Sequence, residues 1–211
     1  MDGTITALEV QKRDRERVNV YIDGQFAFGL DALEASALKT GQTLTPQEIA
    51  ALKAKDAAAT AYKQALGFLS YRIRSSSELR DYLRRKRYDD TLIEEVIGRL
   101  TELNYLNDLE FARTWVRNRE EFHPRGASAL RYELRQKGIS SEIIDEALAE
   151  FDPFESAYHA AQKKARSLRG KSREALRQQI GGNLMRRGYD YTTVNSVLER
   201  LIDELEADNE E

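Results

Sequence analysis

The side chains that could do chemistry in this 211-residue chain are mostly cationic, and their spacing favours recognition over catalysis. Between Arg72 and Arg87 stand Arg72, Arg74, Arg80, Arg84, Arg85, Lys86 and Arg87, with Glu78 and Asp81 as the acids. From Lys163 to Arg187 nine basic residues accompany one acid, Glu174. The segment Asp203–Glu211 has six acids and no base, so the net charge of −3 conceals strong local imbalance. Arginine suits an anionic partner, because its planar fork binds carboxylate or phosphate bidentately. The competing reading of any one such residue is a solvated or salt-bridged helix face.

No catalytic set assembles. "LRGKSREAL" contains Gly170-Lys171-Ser172, but Ala165 stands where a phosphate loop needs glycine, and no strand precedes it. Asp89-Asp90 reads as a helix cap rather than a carboxylate pair. His123 and His159 are isolated, without the converging ligands of a metal site. Absence of cysteine excludes disulfides, thiol catalysis and thiolate metal sites. Phe111 and Trp115, four apart, read as core, with base stacking as the alternative. Tyr71 and Tyr82 flank the first basic run and are candidates for contact with bases or a protein groove. No apolar run approaches a membrane span, and "MDGTITALEV" lacks a signal-peptide pattern, so a soluble cytoplasmic protein without cofactor is expected.

The elements that must position these residues repeat. "LRRKRYDDTLIEEVI" from Leu83, "LRQKGISSEIIDEAL" from Leu134 and "LMRRGYDYTTVNSVL" from Leu184 start 51 and 50 residues apart. Leu79, Leu130 and Ile180 stand four residues earlier and complete an apolar stripe. Arg87, Gly138 and Gly188 occupy the helix end, where glycine supplies a left-handed cap; Arg87 departs from that rule. Tyr88, Ile139 and Tyr189 follow. Asp89 or Asp90, Ser140 or Ser141, and Asp190 or Thr192 are the candidate caps of the next helix. That helix buries Ile93, Ile144 and Val194, then Val96, Ala147 and Val197. One more helix precedes each block, giving three copies of a three-helix module that must stack to bury their faces.

The first third differs. Strands are predicted near 4–12, 16–22 and 25–29, the last two joined by Asp23-Gly24, a two-residue turn signal. A short helix ending near Gly41 follows, and Thr45, Pro46 and Glu48 open a long helix with a capping box. The fold class is mostly α: a tandem array of three-helix repeats after a small antiparallel strand region. The boundaries are 1–45 for the strand-rich segment, 46–105 for a linker helix and repeat 1, 106–152 for repeat 2, 153–206 for repeat 3, and 207–211 for an acidic tail.

"YRIRSSSELRDYLRRK", "NDLEFARTWVRNR", "RYELRQKGISSEIIDEAL" and "LMRRGYDYTTVNSVL", together with "ITALEVQKRDRERVNVYIDGQFAFGL", resemble the RecX family of bacterial RecA regulators. The most specific elements are Arg74-Ser75, Glu78-Leu79 and the run Leu134 to Ile139; His123-Pro124 stands where the family's middle repeat often carries Lys-Gly. The resemblance implies a non-catalytic protein that lies in the groove of the RecA–single-stranded DNA filament. It would reduce ATPase, strand-exchange and co-protease activities, with roles in DNA repair, homologous recombination and the SOS response. The partners expected are the RecA filament and, weakly, single-stranded DNA, with no membrane and no metal, the chain being a monomer. Candidate contacts are Arg72, Arg74, Arg80, Arg84 and Arg85 in repeat 1. In repeat 2 they are Arg117, Arg119, Arg125, Arg131, Arg135 and Lys137, and in repeat 3 Arg186 and Arg187. The alternatives are a direct DNA-binding helical protein using basic repeat faces, and a helical scaffold for an unrelated acidic partner.

Overall fold

The computed structural model describes residues 2–168 and 170–210, with side chains described no further than Leu205. The acidic-tail expectation therefore falls outside the described side chains. Contacts divide the chain into Met1–Tyr71 with Tyr82–Arg99, and Arg72–Asp81 with Leu100–Glu211.

In the first unit, β1 (Gly3–Val10), β2 (Arg17–Ile22) and β3 (Gln25–Asp31) form an antiparallel sheet, with β4 (Thr43–Leu44) on the other edge of β1. Asp23 and Gly24 both take positive φ, 51° and 82°, as the tight hairpin requires. Alternation puts Val18 and Val20 inward beside Ile5, Phe28, Leu30 and Leu44. The helix after β3 is shorter than the sequence suggests. Helix α1 (Ala32–Ala35), capped by Asp31, makes one turn, and the chain then loops back so that the Gly41 N–H donates to the Ile5 carbonyl at 2.8 Å. Helix α2 (Pro46–Leu69) starts with the capping box: Thr45 Oγ1 accepts from the Glu48 N–H at 3.2 Å, and Glu48 Oε2 accepts from the Thr45 N–H at 2.7 Å. Those bonds hold the Glu48 carboxyl below its usual range. Arg17 forks onto Asp56 at 2.9 and 2.8 Å and ties β2 to α2.

Helices α3 (Ser76–Arg85) and α4 (Asp90–Glu102) follow, then α5 (Asp108–Phe122), α6 (Ala127–Gln136) and α7 (Ser141–Ala147). Helix α8 (Pro153–Ala165), a 3-10 turn (Arg166–Leu168), α9 (Arg173–Arg186) and α10 (Tyr191–Glu210) complete the chain. The predicted stripe is buried in all three copies: Leu79, Leu130 and Ile180, and Leu83, Leu134 and Leu184, are each inaccessible to solvent. So are Ile93, Ile144 and Val194 to within a few per cent.

The middle helix of each copy ends in one motif. Tyr88, Ile139 and Tyr189 donate their N–H to the carbonyls of Leu83, Leu134 and Leu184. Arg87, Gly138 and Gly188 donate to Arg84, Arg135 and Met185. This is the Schellman pairing, and its left-handed position has φ of 66°, 75° and 88° in Arg87, Gly138 and Gly188. Arg87 therefore keeps the same cap at a conformational cost of about 1–2 kcal/mol. Asp89, Ser140 and Asp190 then cap the third helices by accepting from the N–H three residues on.

The second unit gives the reason for glycine in the later copies. A Cβ on Gly138 would lie 2.3 Å from Ser77 Cβ, and one on Gly188 would lie 2.7 Å from Ala129 Cβ. Each glycine turn packs on the start of the preceding copy's middle helix. Ser75 Oγ donates to the Lys137 carbonyl at 2.8 Å; at the matching position the Gly126 N–H donates to the Arg187 carbonyl at 2.9 Å, and Ser128 Oγ donates to the Gly188 carbonyl at 2.6 Å. Arg87 is exposed, so no packed helix start forbids its side chain.

Candidate partner-binding surface

At least seven of the thirteen predicted cations pair with carboxylates, at separations from six residues for Arg72–Glu78 to 59 for Lys137–Glu78. Arg72 forks onto Glu78 at 2.9 and 3.1 Å, and Lys137 Nζ donates to the same carboxylate at 3.1 Å. Burial disfavours the charged form of Glu78, but the bonds and charges of Arg72 and Lys137 outweigh it and hold the carboxyl below its usual range. Arg119 Nε donates to Glu133 at 2.7 Å, Trp115 Nε1 donates to the same oxygen at 2.8 Å, and Arg125 Nε lies 3.8 Å from the other. Arg117 pairs with Glu110 at 2.9 Å, Arg84 with Asp90 at 2.8 Å, and Arg131 with Asp145. Arg74 and Arg80 are half-buried on and before α3.

Arg85, Arg135 and Arg186 are different. They are exposed, and among the described residues their side chains form no ion pair. All three lie in the last turn of a middle helix, where they complement the negative end of the helix dipole and leave their heads available.

Trp115 packs as the core reading expects and also carries cations on its ring. Its half-buried ring stacks on Phe111 with centroids 5.9 Å apart. Arg119 lies 4.6 Å and Lys137 5.2 Å from the ring centroid, a cation–π cluster. A cavity of about 350 Å³ opens beside it, lined by Arg72, Ile73, Phe111, Thr114, Trp115 and Asn118. Tyr71 is 86% exposed, whereas Tyr82 stacks flat on Phe68 at 4.2 Å.

A second cavity, of about 380 Å³, brings Arg119, Arg125 and Arg187 together with Lys163 and His123. Arg187 Nη1 donates to the Pro124 carbonyl at 3.2 Å, so His123-Pro124 forms part of the wall. Lys163, which opens the second basic run, is not among the candidate contacts read from the sequence. His123, isolated in sequence, is surrounded by cations in space.

Four RecX family models match the chain in order: the regulatory protein RecX N-terminal domain over residues 3–45, and the first, second and third three-helix domains over 61–100, 107–148 and 150–198. The regulatory protein RecX of Bacillus pumilus is 34% identical over 212 residues, spanning 98% of this chain and 81% of the relative. The chain belongs to the RecX family. The Bacillus subtilis RecX is 35% identical over 213 residues, covering 98% of this chain and 79% of its own. A crystal structure of a regulatory protein RecX superposes with a TM-score of 0.72 at 28% identity, over 93% of this chain and 99% of that one. RecX from Lactobacillus salivarius gives 0.65 at 27% identity, over 70% and 97%. Family membership, the three helical repeats and the small antiparallel sheet agree with the sequence reading, and the RecX relatives are regulatory proteins by name. Among the described residues, no helix is long and apolar enough to cross a membrane.

Proposed function

We propose that the chain is a non-catalytic cytoplasmic regulator that binds the RecA–single-stranded DNA filament and lowers its ATPase, strand-exchange and co-protease activities. The observation that carries this reading is RecX membership across 98% of the chain, through relatives named as regulatory proteins. In this reading the chain acts as a monomer, with modules at 1–45, 46–105, 106–152 and 153–206. The three exposed last-turn cations, Arg85, Arg135 and Arg186, supply repeated contacts to an anionic surface. Arg119, Arg125 and Arg187 act through the second cavity. Arg72, Arg84, Arg117, Arg131 and Lys137 act as ion-paired members that present partly neutralised charge, and Arg74 and Arg80 support α3.

The test is single-stranded-DNA-dependent ATP hydrolysis by RecA with this protein titrated in and excess DNA as a control. Inhibition well below the RecA concentration that extra DNA does not relieve is the expected result. No inhibition, or inhibition abolished by excess DNA, overturns the filament reading. The latter outcome favours direct DNA binding, a reading supported by the cationic lining of the second cavity, which among the described residues holds no carboxylate.

A further inference from the structure

We propose that the cavity lined by Arg119, Arg125, Lys163, Arg187 and His123 is a phosphate subsite for single-stranded nucleic acid, with Phe122 as the stacking surface at its edge. The proposal deepens the reading of weak direct DNA contact and rests on it for the source of the phosphate.

Three observations converge on one place. First, the lining carries four cationic side chains and an imidazole and, among the described residues, includes no carboxylate. Glu133 holds Arg119 at 2.7 Å and approaches Arg125 at 3.8 Å, but does not line the cavity. Glu133 behind Arg119 and Arg125, and Glu120, which acts on Tyr189 together with Arg125 and Arg187, offset part of the charge, but the four cations that face the space still outnumber them, and like charges gathered in a concavity favour entry of an anion. Lys163 is exposed and, among the described residues, has no ion-pair or hydrogen-bond partner for its side chain.

Second, the wall is held in place. Arg187 bonds the Pro124 carbonyl at 3.2 Å, and its own carbonyl accepts from the Gly126 N–H at 2.9 Å. The backbone approach here is close enough that a Cβ on Gly126 would fall 2.1 Å from the Gly188 oxygen. Arg119 is fixed from below by Glu133 and by the face of Trp115. Prepositioned guanidinium groups lose less freedom when they bind an oxyanion.

Third, the ligand is narrowed by Phe122, which lines the same cavity and remains 54% exposed at the end of α5. Guanidinium and ammonium groups next to an exposed aromatic match a backbone phosphate with its base stacked beside it. A volume of about 380 Å³ is within the range of pockets that take small ligands, so a phosphate with its sugar can enter. An acidic peptide would use the cations, but would engage the ring only with an added aromatic or apolar side chain, whereas every nucleotide brings a base beside its phosphate.

The test is fluorescence anisotropy of a labelled oligothymidylate with the full chain at low salt, without RecA. Lys163→Glu should weaken binding about tenfold and lower the salt slope by about one. Lys171→Glu, the same charge change on an exposed residue outside the cavity, should cost less than about twofold. Phe122→Ala should weaken oligothymidylate about fivefold or more while leaving tripolyphosphate binding unchanged. Thermal unfolding by circular dichroism checks that each variant folds.

Tripolyphosphate binding that Lys163→Glu abolishes supports a subsite open to free phosphate as well. Oligothymidylate binding lost in Lys163→Glu without tripolyphosphate competition supports a phosphodiester subsite. Equal losses in Lys163→Glu and Lys171→Glu, no loss in either, or displacement by polyglutamate at lower concentration than by tripolyphosphate, overturns the proposal. Because RecA is absent, failure here leaves the ATPase result standing, and failure of the ATPase test leaves this one standing.

Discussion

Replacing glycine at the repeat joint separates two costs that normally arrive together. Gly24 has φ of 82° with open space around its missing Cβ, so Gly24→Ala meets only the left-handed penalty, about 1 kcal/mol. Gly126 has φ of −73°, which any residue adopts, but its Cβ would lie 2.1 Å from the Gly188 oxygen. Gly126→Ala must therefore push the joint apart. Overpacking costs about 1–3 kcal/mol, and strain in the Gly126–Arg187 and Ser128–Gly188 hydrogen bonds adds about 1 kcal/mol. The reduced freedom of the unfolded chain returns about 0.4–1 kcal/mol. The net expectation is a loss of about 2–3 kcal/mol. Gly188→Ala combines the joint with a φ of 88°, and should lose about 3–4 kcal/mol. Urea unfolding followed by fluorescence of Trp115, the single tryptophan and a member of the second unit, reads Gly126→Ala and Gly188→Ala. Far-UV circular dichroism reads Gly24→Ala in the first unit. If Gly126→Ala costs no more than Gly24→Ala, the reasoning that close approach dictates glycine at the joint is wrong.

Arg87→Gly should stabilise the first copy by about 1 kcal/mol, because the φ of 66° no longer opposes a Cβ; a lower thermal midpoint would contradict this. Glu78→Gln should destabilise the chain at neutral pH. The Glu78 pKa is lowered on folding, so its contribution is complete above the unfolded value of about 4.3 and is lost as pH falls through the folded value. The wild-type advantage should accordingly shrink as pH falls below the unfolded value of about 4.3, and an advantage that grows there would refute the assignment. Changing Arg85, Arg135 and Arg186 together to alanine should raise the concentration needed for half-inhibition of RecA ATPase about tenfold or more, given about 1.4 kcal/mol or more from three lost contacts. The cost in stability should be at most about 1 kcal/mol per helix end, and unchanged inhibition would remove these residues from the contact surface.

Legibility followed the range of the interactions. The stripe of Leu79, Leu130 and Ile180, the cap at Asp89, the Asp23-Gly24 hairpin and the Thr45 box are set within a few residues, and periodicity reveals them. β4 was missed because two residues carry no alternation; Thr43 and Leu44 become a strand only by pairing with Thr4 and Gly3. Helix α1 stopped early because the loop to Gly41 returns to β1, a tertiary bond that propensity does not register. The basic residues were easy to find and hard to rank. Lys137 meets Glu78 across 59 positions and Arg119 meets Glu133 across 14, so ion pairs could not be told from free cations along the chain. The second cavity spans Arg119 to Arg187, and no local spacing announces it.

The glycine joint also gives the repeat a direction and distinguishes its two ends. A later copy docks its left-handed turn on the first residues of an earlier copy's middle helix. At the leading end, Arg87 puts a side chain at the position where the later copies dock with glycine, so the first copy lacks the joint's glycine. At the trailing end, α3 and α6 begin three residues before Leu79 and Leu130, whereas α9 begins seven residues before Ile180. That additional helical turn makes the start of α9 unlike the helix starts on which the second and third copies dock. A module duplicated by gene rearrangement should therefore fit best between the first and third copies, where both sides of the joint match those already present.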